Sequence, residues 1–265
     1  MKDASLRQFK DVTLLVTHYN RSRSLANLLQ GFQDLKCSFG DIVVSDDGSK
    51  PEHQEVLQEL SKQYSFRLIT TPKNRGLANN INKGQDEVKT PFTLYVQEDF
   101  VAKPAFVEHF PDALEFMRED PELDIVRLYA YFPYPYMLPF KKGFSKMIFR
   151  PELWHDDHLK FYYYSDHPHL RRSNFFEKFG RYQEGTNSDA AEFSMCLSFL
   201  KHRAKGLFYN DFTSIFDQVN TSSEPSTATF RSDWKQRPNP FILALRWGYL
   251  KYRFLKNTLQ LMRFK

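Results

Sequence analysis

The stretch Phe92-Thr93-Leu94-Tyr95-Val96-Gln97-Glu98-Asp99-Phe100 reads as a short apolar strand that ends on two consecutive carboxylates. Phe92, Leu94 and Val96 alternate with Thr93 and Tyr95, so large side chains face both ways. A strand buried on both faces belongs inside a parallel sheet covered by helices. In open α/β sheets the ligand crevice lies beyond the carboxyl ends of the strands, which puts Glu98 and Asp99 where a ligand would sit. Their oxygens suit a hard divalent cation, Mg²⁺ or Mn²⁺, that also binds phosphate. A solvated acidic turn would be spelled the same way, so the rest of the chain has to decide.

Composition narrows the classes. A chain of 265 residues buries a good-sized core, as one large or two small domains. Aromatics make up 16%, with 26 Phe and 14 Tyr, which argues for a packed core or a ring-rich groove and against disorder. The net charge of +5 mildly favours nucleotides, phosphates or a lipid surface. No zinc-finger spacing, ribonucleoprotein motif or basic helix pair points to nucleic acid. Cys37 and Cys196 are isolated, which predicts a reducing compartment. Met1 to Arg7 lacks the apolar run of a signal peptide, and nothing approaches the ~20 apolar residues of a membrane span. The expectation is a cytoplasmic protein.

The first half alternates strand and helix. Asp11 to Thr17 is a buried strand, followed by the loop His18-Tyr19-Asn20-Arg21. Ser22 or Ser24 is placed to cap a helix whose inner face is Leu25, Leu28, Leu29 and Phe32. Gly40 breaks the chain before a second strand, Asp41 to Ser45, which runs into Asp46-Asp47-Gly48-Ser49. Pro51 sits near the first turn of the next helix, with Val56, Leu57, Leu60 and Tyr64 inward. Phe66 to Thr70 is a third strand, and Asn74 to Lys83 a polar turn with a short helix. This alternation predicts right-handed βαβ crossovers and a nucleotide-binding α/β sandwich. Neither a Gly-x-Gly-x-x-Gly after the first strand nor a P-loop is present.

The second half is less regular. Pro104 opens a helix with Val107, Phe110, Leu114 and Met117 inward, and Ile125 to Ala130 reads as a fifth strand. Tyr131 to Phe140 is a proline- and tyrosine-rich loop that either stacks on sugars or bases or packs over the sheet. Trp154-His155-Asp156-Asp157-His158 invites a metal reading against that of a solvated loop, and His167 and His169 do so more weakly. Asp189 and Glu192 are spaced as the ends of a capping box on a helix with Phe193, Cys196, Leu197 and Leu200 on one face. The same carboxylates at a helix start could act as a general base. Lys201, His202 and Arg203 close that helix and Gly206 lies just beyond. Ser222 to Thr227 reads as flexible, and after Asp233 there is no acidic residue. The basic, aromatic segment that follows predicts an amphipathic helical tail, lying on anionic lipid through residues 240–265 or packed on the domain.

Four stretches carry a resemblance: Val12 to Arg21, Val43 to Ser49, Asn74 to Gly84, and Leu94 to Asp99. In this order they resemble the family 2 glycosyltransferases of the GT-A fold, firmly over residues 11 to about 100 and more loosely to about 205. The resemblance implies an α/β GT-A fold with a mostly parallel central sheet flanked by helices. Its donor half would be 1–130, its acceptor half 131–233 and its basic tail 234–265. It implies inverting transfer of a sugar from a nucleotide-diphosphate donor, with a bias to UDP, to a hydroxyl of a growing cell-surface glycan. That acceptor would be free or lipid-linked at the inner membrane face. Carried over by position, Thr17, Tyr19 and Asn20 meet the nucleoside, Asp46 the base and Asp47 the ribose. Asp99 would hold Mn²⁺ or Mg²⁺, with Glu98 on the nucleotide side able to add its charge, and Asp189 or Glu192 would be the base; Asn74 would join the nucleotide site, where Arg75 or Lys83 would meet the phosphates. The sequence departs from the family where Gln97 replaces the first acid of Asp-x-Asp and where Ile81 occupies a phosphate-facing position of the third stretch. A family histidine near the C-terminus has no counterpart, with Asp217 the nearest substitute. Two rivals stand beside this reading. One is a non-catalytic sugar- or nucleotide-binding module. The other is a sugar-1-phosphate nucleotidyltransferase, which would want a Gly-rich loop and a Lys after the first strand.

Overall fold

In the computed structural model, which describes residues 6–219 and 240–264, the first half of the chain is a run of βαβ crossovers. These are β1 (Arg7–His18), α1 (Ser22–Asp34), β2 (Cys37–Asp46), α2 (Pro51–Tyr64), β3 (Arg67–Ile69), α3 (Leu77–Asp86) and β4 (Phe92–Gln97). β2 pairs in parallel with β1 and β3, and β1 with β4. Alternation along the strands sorts the core onto two faces. Leu14, Val16, Leu94 and Val96 pack with Leu25, Leu28, Phe32 and Phe110, whereas Leu15, Val43 and Tyr95 pack with Ile81, Cys196 and Phe199. Burial on both sides is what the Phe92 strand required.

The second half completes the same sheet. β5 (Phe100–Ala102) and α4 (Phe106–Glu119) precede β6 (Leu123–Arg127), the hairpin β7 (Met137–Pro139) and β8 (Phe144–Met147), and a 3₁₀ turn at His158–Phe161. Then come β9 (His169–Arg172), α5 (Phe175–Phe179), α6 (Ser188–Lys201), β10 (Lys205–Tyr209), β11 (Phe216–Gln218) and α7 (Pro240–Arg263). The sheet order is β3-β2-β1-β4-β9-β6-β10-β8-β7, with β11 and β5 forming a separate two-stranded ribbon. β9 runs antiparallel between β4 and β6, so the predicted fifth strand is not the neighbour of the fourth.

Several local expectations need correction. Gly40 does not break the chain but lies inside β2, beside an irregularity of β1. A Cβ there would fall 2.0 Å from the Lys10 carbonyl oxygen, so close approach, not a turn, demands the glycine. The fifth strand ends at Arg127 instead of Ala130. The α1 N-cap is Arg21, with neither Ser22 nor Ser24 capping; Ser22 Oγ meets His53 Nδ1 at 2.9 Å. Val56 is 37% exposed and off the core face of α2, whereas Pro51 takes the helix start as expected. Gly206 is a strand residue, and the left-handed position after α6 belongs to Arg203 at φ 51°. Ser222 to Thr227, Asp233, Lys235, Arg237 and the 233/234 boundary lie outside the described residues, as do the first five residues.

Candidate active site

Because β2, β1 and β4 are adjacent and parallel, their carboxyl ends meet at one edge of the sheet. His18 is in register with Asp46, and Thr17 with Gln97. A continuous polar path joins Asp46 to Asp99 across that edge. His18 Nδ1 lies 2.8 Å from Asp46 Oδ1, and the Arg21 amide donates to His18 Nε2 at 3.2 Å. With Nε2 accepting, Nδ1 carries the proton toward Asp46. The Arg21 guanidinium then stands 3.2 Å from Asp99 Oδ2 and 3.7 Å from Glu98 Oε1.

Asp46 is wholly buried and densely bonded. It accepts from the Ser49 amide at 3.0 Å, Ser49 Oγ at 2.5 Å, Gln54 Nε2 at 2.5 Å and Thr70 Oγ1 at 2.9 Å, besides His18. Burial alone would push its carboxyl up, but the hydrogen bonds from His18 and Ser49 hold it well below the usual range. Asp47 accepts the Arg75 and Gly76 amides, both at 2.8 Å, which pins the Asn74 turn to the end of β2. Burial nonetheless pushes the Asp47 carboxyl up. Gly48 between these loops has φ +66°, and a Cβ there would lie 2.6 Å from the Lys73 carbonyl carbon.

The remaining expected nucleotide residues gather around this frame. Thr17 Oγ1 bonds Tyr95 Oη at 3.0 Å, and Tyr19 is half-buried at the strand end. Asn20, left-handed at φ 53°, accepts the Lys50 amide at 2.8 Å and donates its own amide to Ser49 Oγ at 2.8 Å. Lys83 Nζ donates to the Asp46 carbonyl oxygen, and burial pushes its ammonium down. Asn74 and Arg75 are exposed, and Arg75 Nη2 reaches Glu184 Oε2 at 3.3 Å. Ile81 is fully buried in the core. A hollow of about 270 Å³ opens here, lined among others by Arg75, Asn79, Lys83 and Glu184. A larger hollow of about 650 Å³ lies at the start of β6 and β10. Two ion pairs lie along it: Lys178 with Asp124 at 2.7 Å, and Lys205 with Glu122.

At the end of β4, Asp99 Oδ2 accepts from Gln218 Nε2 at 2.9 Å, whereas its buried Oδ1 has no hydrogen-bond partner among the described residues. An uncommitted carboxylate oxygen beside Glu98 fits a hard cation, which typically takes one or two carboxylates and draws its other ligands from phosphate and water. Among the described residues no cluster of three His, Cys, Asp or Glu side chains could hold a metal alone. The His155 to His158 stretch disperses: Asp157 caps the 3₁₀ turn, Asp156 meets Lys251 and the His155 ring lies on Tyr136. His167 and His169 are tied into the interior, where burial pushes His167 down to about 3. Asp217 is exposed and pairs with Lys103 at 3.0 Å; its neighbour Gln218 is the residue that reaches Asp99.

The expected capping box is replaced by another cap. Asn187 is the N-cap of α6, accepting the Ala190 amide at 2.8 Å, which leaves Asp189 exposed in the first turn. Glu192, freed from capping, accepts the Asp166 amide at 2.9 Å. Burial and the charge of Glu192 push the Asp166 carboxyl up to about 8, with Tyr182 Oη donating to it at 2.6 Å. Burial also pushes Glu192 up. The Tyr131 hydroxyl donates to Gln218 Oε1 at 2.5 Å, and burial and the charges of Asp99 and Glu192 push it up. The aromatic loop therefore divides its roles, with Tyr131 at the cleft and Tyr134 in the core.

Four site residues escaped the sequence reading: Arg21, Asp166, Glu184 and Gln218. Arg21 was visible as the last residue of the first stretch. The other three come from segments with no motif of their own.

A mixed sheet of this order, with acidic residues at the carboxyl ends of its leading parallel strands, defines a GT-A-type α/β transferase domain. The chain belongs to glycosyl transferase family 2, whose family model matches residues 13–180. It is similar to the poly-beta-1,6-N-acetyl-D-glucosamine synthase of Staphylococcus epidermidis, 25% identical over 95 residues, covering 36% of this chain and 23% of that protein. The synthase of Staphylococcus aureus (strain COL) is 23% identical over 124 residues, covering 47% of this chain and 29% of that one. The chain thus spans under a third of these relatives' length. The fold matches residues 1–349 of S. aureus TarS in complex with UDP-GlcNAc, with TM-score 0.58 and 14% identity over 83% of this chain and 62% of that one. The mannosyltransferase PcManGT from Pyrobaculum calidifontis, solved with GDP-Man and Mn²⁺, matches with TM-score 0.54 and 13% identity over 84% and 60% of the two chains.

Proposed function

We propose that this chain transfers a sugar, with inversion, from a nucleotide-diphosphate donor to a hydroxyl of a growing cell-surface glycan. A UDP-sugar is the favoured donor, since the TarS fold neighbour is solved with UDP-GlcNAc. The observation that carries the reading is the path of contacts from Asp46 through His18 and Arg21 to Asp99, along the edge where β2, β1 and β4 end.

Asp46 meets the base on its Oδ2 side once Gln54 or Thr70, which come from the half-buried and exposed rim, gives up its hydrogen bond there. Thr17, Tyr19 and Asn20 shape the nucleoside side, with Asp47 near the ribose through the turn it clamps. Arg75 and Lys83 face the phosphates, with Asn74 setting the turn. Asp99 and Glu98 hold Mn²⁺ or Mg²⁺, with Asp99 Oδ1 the oxygen available to it. When bound, such an ion stabilises the negative charge that develops on a departing nucleoside diphosphate. Glu192 serves as the base: it is half-buried beside Asp166, whereas Asp189 is exposed on the first turn.

No helix among the described residues is long and apolar enough to cross a membrane. α7 docks through Phe254 and Asn257 and leaves Trp247, Tyr249, Tyr252, Leu255 and Leu259 exposed on a helix without acidic residues. That surface suits the anionic inner face of a membrane, where a lipid-linked saccharide would be presented. Release of nucleoside diphosphate from a nucleotide-sugar panel, with and without an acceptor glycan, tests the function. No release from any donor would leave a binding module.

A further inference from the structure

Arg21 is fixed where a divalent ion would otherwise neutralise the carboxylates. It is only 5% exposed, and its backbone is held at both ends. Its amide donates to His18 Nε2, and its carbonyl accepts the Leu25 amide at 3.1 Å as α1 begins. From that N-cap position the guanidinium reaches Asp99 Oδ2 and Glu98 Oε1. A guanidinium and a divalent ion on the same carboxylates repel one another strongly in a water-poor cleft. The guanidinium fork also matches the oxygens of a diphosphate in shape and charge.

We propose that Arg21 is an internal counter-ion for Glu98 and Asp99, competing with the divalent ion until a nucleoside diphosphate draws the guanidinium onto its phosphate oxygens. The inference rests on the divalent-ion reading of Asp99. It makes ion and nucleotide binding mutually reinforcing through a residue of the chain itself. In the free protein the ion binds weakly because Arg21 already occupies its electrostatic role. With nucleotide present, the guanidinium has another anion to pair with and the competition ends.

The test is a calorimetric Mn²⁺ titration of the full chain with and without UDP, on wild type, R21Q and R21K. Without UDP, R21Q should bind Mn²⁺ about tenfold more tightly than wild type, equivalent to ~1.4 kcal/mol. R21K, which keeps the charge, should stay close to wild type. With UDP the advantage of R21Q should shrink or reverse, because the group that meets the phosphates is gone. R21M, which keeps an unbranched side chain of similar length, carries the same expectation if R21Q folds poorly. Equal or weaker Mn²⁺ binding by the neutral variants without UDP would overturn the proposal while leaving the ion site intact. No Mn²⁺ binding by any of these proteins, with or without UDP, would instead remove the ion site, and the proposal with it.

Discussion

Single carboxyl groups set opposite pH dependences in this molecule. Asp46 is held below the usual aspartate range, so its stabilising contribution is full above about pH 4 and is lost as pH falls below that value. Asp166 behaves in reverse. Its carboxyl, raised to about 8, stays protonated in the folded state, so stability is greatest below about pH 4 and declines as pH rises toward 8. The groups facing it are Glu192, Tyr164, Tyr182 and Arg171. Urea midpoints measured from pH 3 to 9 should show the slope between 4 and 8 flatten in D166N, and a persistent slope would place the titrating group elsewhere. D46A should cost ~3–5 kcal/mol, because the buried donors of His18 and Ser49 lose their acceptor along with those of Gln54 and Thr70 at the rim. For the reaction, E192Q should lower kcat by ~10²–10⁴ with little change in donor KM, and D189N should stay near wild type. The reverse pattern would move the base to Asp189.

Helices and strands were legible to different depths. The inner face of α1 follows directly from its 3.6-residue period, and Leu25, Leu28, Leu29 and Phe32 are all buried. L28A should therefore cost ~2–5 kcal/mol in chemical unfolding. The start of α6 was less legible, because Asn187, Ser188 and Asp189 are three capping residues in a row. Backbone angles decide among them, and Asn187 at φ −69° and ψ 157° takes the role. β9 could not be placed from sequence, since four residues carry little periodicity and their seat between β4 and β6 is a tertiary choice. α7 was readable as basic and amphipathic. If it lies on lipid, removing residues 240–265 should abolish co-sedimentation with phosphatidylserine vesicles. The charge reversal K256E should weaken binding by ~1 kcal/mol. Unchanged sedimentation would assign the exposed rings to another contact.

The molecule as a whole depends on three parallel strands ending together. That much was legible, because Asp-Asp-Gly-Ser and Glu-Asp each terminate an apolar run and parallel pairing sends such ends to one edge. What closes the cleft was not legible. Glu184 on Arg75, Asp166 on Glu192 and Gln218 on Asp99 all arrive from the second half of the chain, through contacts that no local pattern encodes. The most direct measurement is the thermal shift of the full chain against a panel of nucleotide-sugars with and without Mn²⁺, since a ligand bound only by the folded state raises its midpoint. The account predicts that at least one nucleotide-sugar stabilises the wild type in a Mn²⁺-dependent way and that D99A loses the Mn²⁺-dependent part. An unchanged midpoint across the panel, or a D99A response equal to wild type, would contradict it.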